Sequence, residues 1–280
     1  MTVFISVIAA LFLLFIIYSL VLVRPRLGEV REYRKSSPEL FTDYAHRGLH
    51  GGSIPENSLA AFALAAEKGH GIELDVQLSK DGQVMVFHDY SLSRMTGRDA
   101  LLSDLTADEL KELHLAGTDE RIPYLCEVLD LIDGRVPILV ELKGESADTS
   151  VCAPTNAILE KYKGKYCVES FNPMLLGWYR KNRPDVMRGI LVTNVTKEKK
   201  KVTLLNFALK NLITNVICRP DFIAYDVRYN LLSVDICTKF FDAPAYAWTV
   251  RDGEAYTKAR EYGANVIFER IKPEREDLDK

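Results

Sequence analysis

The sequence predicts an α/β fold in which eight parallel strands, each partnered by a helix, close into a (β/α)8 barrel. Three observations carry this expectation. From residue 41 onward, short apolar strand-like runs alternate with helix-patterned stretches. Of nine such runs, one follows its predecessor across the tight turn Ser79-Lys80-Asp81-Gly82, which cannot join parallel neighbours, so that run is an antiparallel excursion. The remaining eight βα units occupy a length close to the roughly 250 residues of such barrels.

The chain before the barrel has a different character. Residues 3–23 carry no charge and are interrupted only by Ser6, Tyr18 and Ser19. As a helix this run is about 31 Å long, enough to cross the hydrocarbon core of a bilayer. No basic run precedes it and no small-x-small cleavage site follows, so residues 1–23 are expected to be a retained transmembrane anchor. The linker over 24–40 is basic, with Arg24, Arg26, Arg31, Arg34 and Lys35. By the positive-inside rule it places the C-terminal part on the cytoplasmic side, and it can touch anionic headgroups. The five scattered cysteines, Cys126, Cys152, Cys167, Cys218 and Cys237, form no C-x-x-C pair, which suits a reducing compartment and core packing. Across all 280 residues the formal net charge is −3, and no basic excess points to a nucleic-acid partner.

The barrel is expected over 41–272, with a charged tail at 273–280. The first strand is 41–45, ending in His46-Arg47-Gly48. Asn57 or Ser58 caps a helix with the apolar face Leu59, Phe62, Ala63 and Ala66. The second strand is 72–77, and the excursion 83–88 opens an insertion over about 79–122 that holds a short capped helix at 103–110. A helix over 125–132 leads to the strand 136–143. The pattern then repeats: helix 153–162 and strand 166–171, helix 173–181 and strand 187–192, helix 202–216 and strand 222–226, helix 230–240 and strand 245–250, helix 253–262 and strand 265–268. The stretch 202–217 is more apolar than an outer barrel helix needs and follows Lys197, Lys199, Lys200 and Lys201. It reads either as an ordinary barrel helix with a solvated basic end or as one that dips into a membrane interface.

Polar residues that interrupt the apolar strands gather at their C-terminal ends, where barrel active sites lie. Strand residues two apart face one side, so Glu73 pairs with Asp75, and Glu141 with Lys143. Three acids on neighbouring strands repel one another, and a hard divalent cation is the natural remedy. His46 and Arg47 close the first strand, His88 and Asp89 end the excursion, Ser170 and Phe171 end the fourth strand, and Trp248 is near the end of the seventh.

The ordered set His46-Arg47-Gly48, Pro55-Glu56-Asn57-Ser58, Glu73-Leu-Asp75, Lys80-Asp81-Gly82, His88-Asp89, Glu141-Leu-Lys143, Ser170-Phe171 and Trp248-Thr-Val250 resembles the glycerophosphodiester phosphodiesterase family over roughly 42–270. The resemblance implies a TIM barrel that hydrolyses glycerophosphodiesters to glycerol 3-phosphate and an alcohol. It implies Glu73, Asp75 and Glu141 as ligands of Mg²⁺ or Ca²⁺, His46 and His88 as the acid/base pair, and Arg47 and Lys143 as phosphate-binding cations. Trp248 and Phe171 are candidates for contact with the glycerol. The order of acid and base, and the choice between the glycerol 2-hydroxyl and water as nucleophile, stay open. The end departs from the family pattern: Asn265 and Glu269 replace the more usual acids, which weakens the case for a part of the last strand in the site. His50, His70 and His114 are expected in loops or at helix ends. Alternatives are a related lipid-cleaving phosphodiesterase acting on a lysophospholipid, or a non-catalytic membrane-anchored barrel.

Overall fold

The computed structural model describes residues 2–26 and 28–271; the expected charged tail at 273–280 lies outside them. The strands are β1 (Tyr44–Ala45), β2 (Gly71–Leu78), β3 (Val84–Val86), β4 (Ile138–Leu142), β5 (Tyr166–Ser170), β6 (Arg188–Val192), β7 (Phe222–Asp226), β8 (Ala245–Val250) and β9 (Asn265–Phe268). Hydrogen bonding runs β1-β9-β8-β7-β6-β5-β4-β2 and returns from β2 to β1, so eight parallel strands close on themselves and leave no open edge. Strand β3 pairs antiparallel with the far end of β2, because the Asp81-Gly82 turn allows no crossover.

Alternation along each strand sorts the side chains. On β2, Ile72, Leu74 and Val76 join the layer between barrel and helices, while Glu73 and Asp75 point into the barrel. The lower interior is apolar and filled by Tyr44, Leu139, Cys167, Phe222 and Tyr246. Its floor is the 3-10 turn Pro38–Leu40, whose Leu40 carbonyl accepts from the hydroxyls of Tyr44 (2.9 Å) and Tyr246 (2.8 Å). Gly189 on β6 faces Phe222 on β7, and a Cβ there would lie 1.9 Å from the Phe222 ring.

Several elements differ from expectation. The first strand is only Tyr44–Ala45, because residues 38–41 turn to plug the floor. Among the described linker residues, Glu29–Ser36 is helical, and Arg26 pairs with buried Asp221 at 2.6 Å beneath the barrel. Ser58, not Asn57, caps its helix, accepting from the Ala61 N–H. The helix expected over 202–216 divides into Leu204–Lys210 and Asn215–Cys218, because Leu212 turns into the core in a left-handed conformation, with φ 55°. Residues 232–240 begin as an α-turn and continue as a π-turn. The insertion has its own small core of Met85, Phe87, Leu92, Leu102, Leu110 and Ile122. Four cysteines are buried as expected, but Cys126 is exposed. The apolar N-terminal run is one helix, Thr2–Val23.

Candidate active site

The upper barrel interior is acidic by register. Asp75 on β2 stands opposite Glu141 on β4, which stands opposite Glu169 on β5. One carboxylate oxygen from each of Glu73, Asp75 and Glu141 lies within 4.8 Å of the others, and all three side chains are buried. Burial, followed by repulsion from Asp75 and Glu141, holds the Glu73 carboxyl well above the usual carboxylate range. Burial likewise pushes Glu141 up to about 7, against the pull of Lys143. Asp75 goes the other way: burial opposes ionisation, but Lys143, His88 and Arg47 outweigh it and hold its carboxyl well below the usual range. Lys143 Nζ lies 2.7 Å from Asp75 and 2.8 Å from Glu141. Glu169 is a fourth acid that sequence reasoning missed; its Oε2 is buried without a hydrogen-bond partner. Its signal was an acid interrupting the apolar run Tyr166-Cys-Val on the inward phase of β5.

The turn after β1 is shaped by this cluster. Arg47 has φ 56°, and in that conformation its N–H donates to Glu73 Oε2 at 2.8 Å. Its guanidinium donates to Glu56 at 2.7 Å and lies 3.5 Å from Asp75. Gly48 follows at φ 78°, where a Cβ would come within 2.9 Å of Ala61 and Phe62. Asn57 donates from Nδ2 to Asp75 Oδ2 at 2.8 Å, a contact that replaces the capping role open to it in the sequence.

The two histidines enter from different sides. His46 leaves 13% of its side chain exposed, and its Nδ1 lies 3.5 Å from Glu269 Oε2, just past β9. Burial lowers the His46 pKa to about 4. The close approach of His46, with Arg251 and against the opposing effect of burial, brings Glu269 down to about 2. Arg251 also holds Glu269 at 2.9 Å. The end of β9 therefore does meet the site, contrary to the sequence expectation, because barrel closure sets it beside β1. His88, carried back from β3, has Nδ1 2.6 Å from Asp89, and burial lowers its pKa. Asp89 continues to Arg94, and Arg94 to Glu56, so a chain of charges links the surroundings of His88 to Arg47.

His46, Arg47, Glu73, His88, Glu141, Glu169, Phe171 and Trp248 line one cavity of about 1030 Å³. Asp75 and Lys143 belong to the same cluster but are not on its wall. Phe171 and Trp248 meet edge to face at 5.3 Å on the rim, and the Trp248 indole N–H is spent on the Ala224 carbonyl. The same cavity wall includes the apolar side chains Tyr225, Leu231, Val234 and Tyr262, among charged residues such as Arg228, Asp235 and Lys239. His50 comes close to His46 and Glu269, whereas His70 packs on Phe268 and His114 bonds its own loop.

The donor set fits a hard divalent cation. It consists of carboxylate oxygens with no soft ligand, and burial together with mutual repulsion holds Glu73 and Glu141 above the usual carboxylate range, a penalty that a bound cation would relieve.

A sequence model of the glycerophosphoryl diester phosphodiesterase family matches residues 46–269. A glycerophosphodiester phosphodiesterase of Caldanaerobacter subterraneus is 36% identical over 160 residues, covering 52% of this chain and 65% of that relative; the match thus spans slightly less than two thirds of the relative's length. Among solved structures, an Oleispira antarctica phosphodiesterase in complex with the product sn-glycerol-3-phosphate superposes with TM-score 0.67 at 26% identity, over 81% of this chain and 92% of the other. A glycerophosphodiester phosphodiesterase from Thermotoga maritima gives TM-score 0.64 at 30% identity, over 81% and 94%.

Proposed function

The chain belongs to the glycerophosphoryl diester phosphodiesterase family, and on that premise we propose that it hydrolyses glycerophosphodiesters to glycerol 3-phosphate and an alcohol. The observation that carries this reading is the convergence of two histidines and an acidic triad on one cavity. The product bound to the Oleispira antarctica relative is in accord with it.

In this reading Glu73, Asp75 and Glu141 would hold one Mg²⁺ or Ca²⁺, which would supply positive charge to stabilise the phosphoryl group. Arg47, fixed by Glu56, and Lys143, held between Asp75 and Glu141, add two protein cations to the same charge. His46 is the general base. Its buried ring is neutral across the physiological range, and with its Nδ1 turned to Glu269 the other ring nitrogen is free to accept the proton of the nucleophile. His88 is the general acid. Burial opposes its doubly protonated form, and Asp89 on its Nδ1 counters that effect, so the ring can give a proton to the departing alkoxide. Phe171 and Trp248 form an apolar rim against the carbon face of the glycerol. Turnover of glycerophosphocholine and glycerophosphoethanolamine by the purified full chain, with each divalent metal and with Glu73→Ala as control, tests the proposal. Equal turnover by the variant would overturn it.

The apolar residues of the same wall support a second substrate, a lysophospholipid whose acyl chain lies along Tyr225, Leu231 and Val234. The helix Thr2–Val23 is a single membrane span in this reading, with the barrel on the cytoplasmic side. Its end is built into the barrel rather than left for removal. The Val23 carbonyl accepts from Asn215 at 2.7 Å, and Arg219 donates to the carbonyls of Val21 and Arg24 at 2.8 Å, satisfying the free carbonyls of the helix end.

A further inference from the structure

The outer helix Leu204–Lys210 is inside out for a protein in water. Asn206 is buried, with its Nδ2 donating to the Lys201 carbonyl at 2.9 Å, while Leu204 is 86% exposed and Leu205 63%. Val202 and Phe207 extend the same surface, exposed by 83% and 51%. An outer barrel helix with this pattern has no reason to fold against the barrel by its polar residue unless its apolar face meets another apolar phase.

Contacts on either side of this helix identify that phase. The Lys210 carbonyl accepts from Ser233, which ties in the neighbouring helical stretch and its exposed Leu232 and Phe240. Cys237 of that stretch and Asn215 of the following helix both bond the Val23 carbonyl, the last residue of the apolar N-terminal helix. The exposed apolar residues thus lie on helical stretches tied to one another and to the point where that helix joins the barrel. Lys197, Lys199, Lys200 and Lys201 lie at their margin and carry the charge that suits anionic headgroups.

We infer that Val202, Leu204, Leu205, Phe207, Leu232 and Phe240 form a second membrane contact, a monotopic face that beds the barrel into the bilayer surface beside its own span. The inference rests on the spanning reading of Thr2–Val23. It deepens the proposed function, because the stretch that carries Leu232 also supplies Leu231, Val234 and Lys239 to the cavity wall. An amphiphilic substrate thereby moves from lipid to this side of the cavity without crossing water. Four lysines precede Val202 in the chain, and this basic charge beside an apolar face favours an anionic lipid surface over a second copy of the chain.

The test uses the full chain, reconstituted in vesicles of phosphatidylcholine with anionic phosphatidylglycerol. In a Cys126→Ser background, Leu205→Cys and, as control, Glu112→Cys on the insertion each carry an environment-sensitive fluorophore. Brominated lipid is expected to quench the label at 205 at least about threefold more than the label at 112, as depth in the interface requires. Equal quenching at the two positions overturns the inference. So does a blue-shifted label at 205 that brominated lipid does not quench, the result of burial against a second copy. In parallel, Leu204→Asp with Leu205→Asp is expected to lower turnover of vesicle-embedded lysophosphatidylcholine about tenfold and to leave soluble glycerophosphocholine turnover unchanged. Equal loss on both substrates overturns the link to substrate delivery. A chain inactive on both from the start would sink the phosphodiesterase reading, while the quenching measurement, which uses no turnover, still decides the docking.

Discussion

Glu269 and His46 meet 3.5 Å apart although they are 223 positions apart in the sequence, because β9 closes the barrel against β1. The carboxylate is itself fixed by Arg251, so it can hold the imidazole in one orientation and one tautomer.

Replacing Glu269 by Gln removes a group that raises the His46 pKa through hydrogen bonding and charge, against burial, which lowers it. The base must be neutral to act, and its pKa near 4 sets the acid limb of kcat/KM. Without Glu269 that pKa falls further, so the acid limb moves to lower pH, while kcat above the limb drops about tenfold or more from lost orientation. A pH profile of kcat/KM for Glu269→Gln and wild type measures both effects. A merely structural Glu269 would lower activity without moving the limb.

Glu56 receives Arg47 and Arg94 together, with N–O distances of 2.7 and 2.6 Å. The two arginines outweigh burial and keep its carboxyl below the usual range. Glu56→Gln frees Arg47 from this hold, so substrate is bound less well by a cation that no longer waits in place. The expected outcome in steady-state kinetics is a KM raised about three- to tenfold with a smaller change in kcat.

Removal of divalent cations by a chelator is expected to abolish turnover while the barrel stays folded. Adding Mg²⁺ or Ca²⁺ back should raise the melting temperature, since repulsion among Glu73, Asp75 and Glu141 is relieved only in the folded state. Glu141→Gln should blunt this rise. Thermal unfolding followed by circular dichroism reads both.

Gly189 has no room for a methyl group: a Cβ would sit 1.9 Å from the buried Phe222 ring inside the barrel. Gly189→Ala is expected to cost about 3 kcal/mol or more, through overpacking. Gly253→Ala, with open space at its Cβ and a helix N-terminus around it, should change stability by less than about 0.5 kcal/mol. Urea unfolding of the two variants gives the comparison.

What the sequence disclosed follows the range of the interactions involved. The barrel was legible because strand alternation and turn chemistry are local: Asp81-Gly82 alone removes β3 from the parallel set. Glu73, Asp75, Glu141 and Lys143 were legible because their two-residue spacing fixes a common face. Glu269 was misread because it meets the site only through the pairing of β9 with β1, distant in sequence, whereas Glu169 was missed although its signal, an acid on the inward phase of β5, is local. The His88–Asp89–Arg94–Glu56–Arg47 chain was hidden for the same reason, being held by a side-chain network that crosses from the insertion to the turn after β1. Residues 202–217 read as one helix because propensity is continuous there. Burial of Leu212, a tertiary effect, breaks it.

The central claim is the division of labour between the histidines, and leaving-group dependence tests it most directly. With glycerophosphocholine, whose alkoxide needs a proton to depart, His46→Ala and His88→Ala are both expected to lose at least about a hundredfold in kcat. With a p-nitrophenyl glycerophosphodiester, whose leaving group departs unprotonated, His88→Ala should regain most of its rate and His46→Ala should not. The reverse pattern, or near-normal turnover of glycerophosphocholine by either variant, would contradict the account.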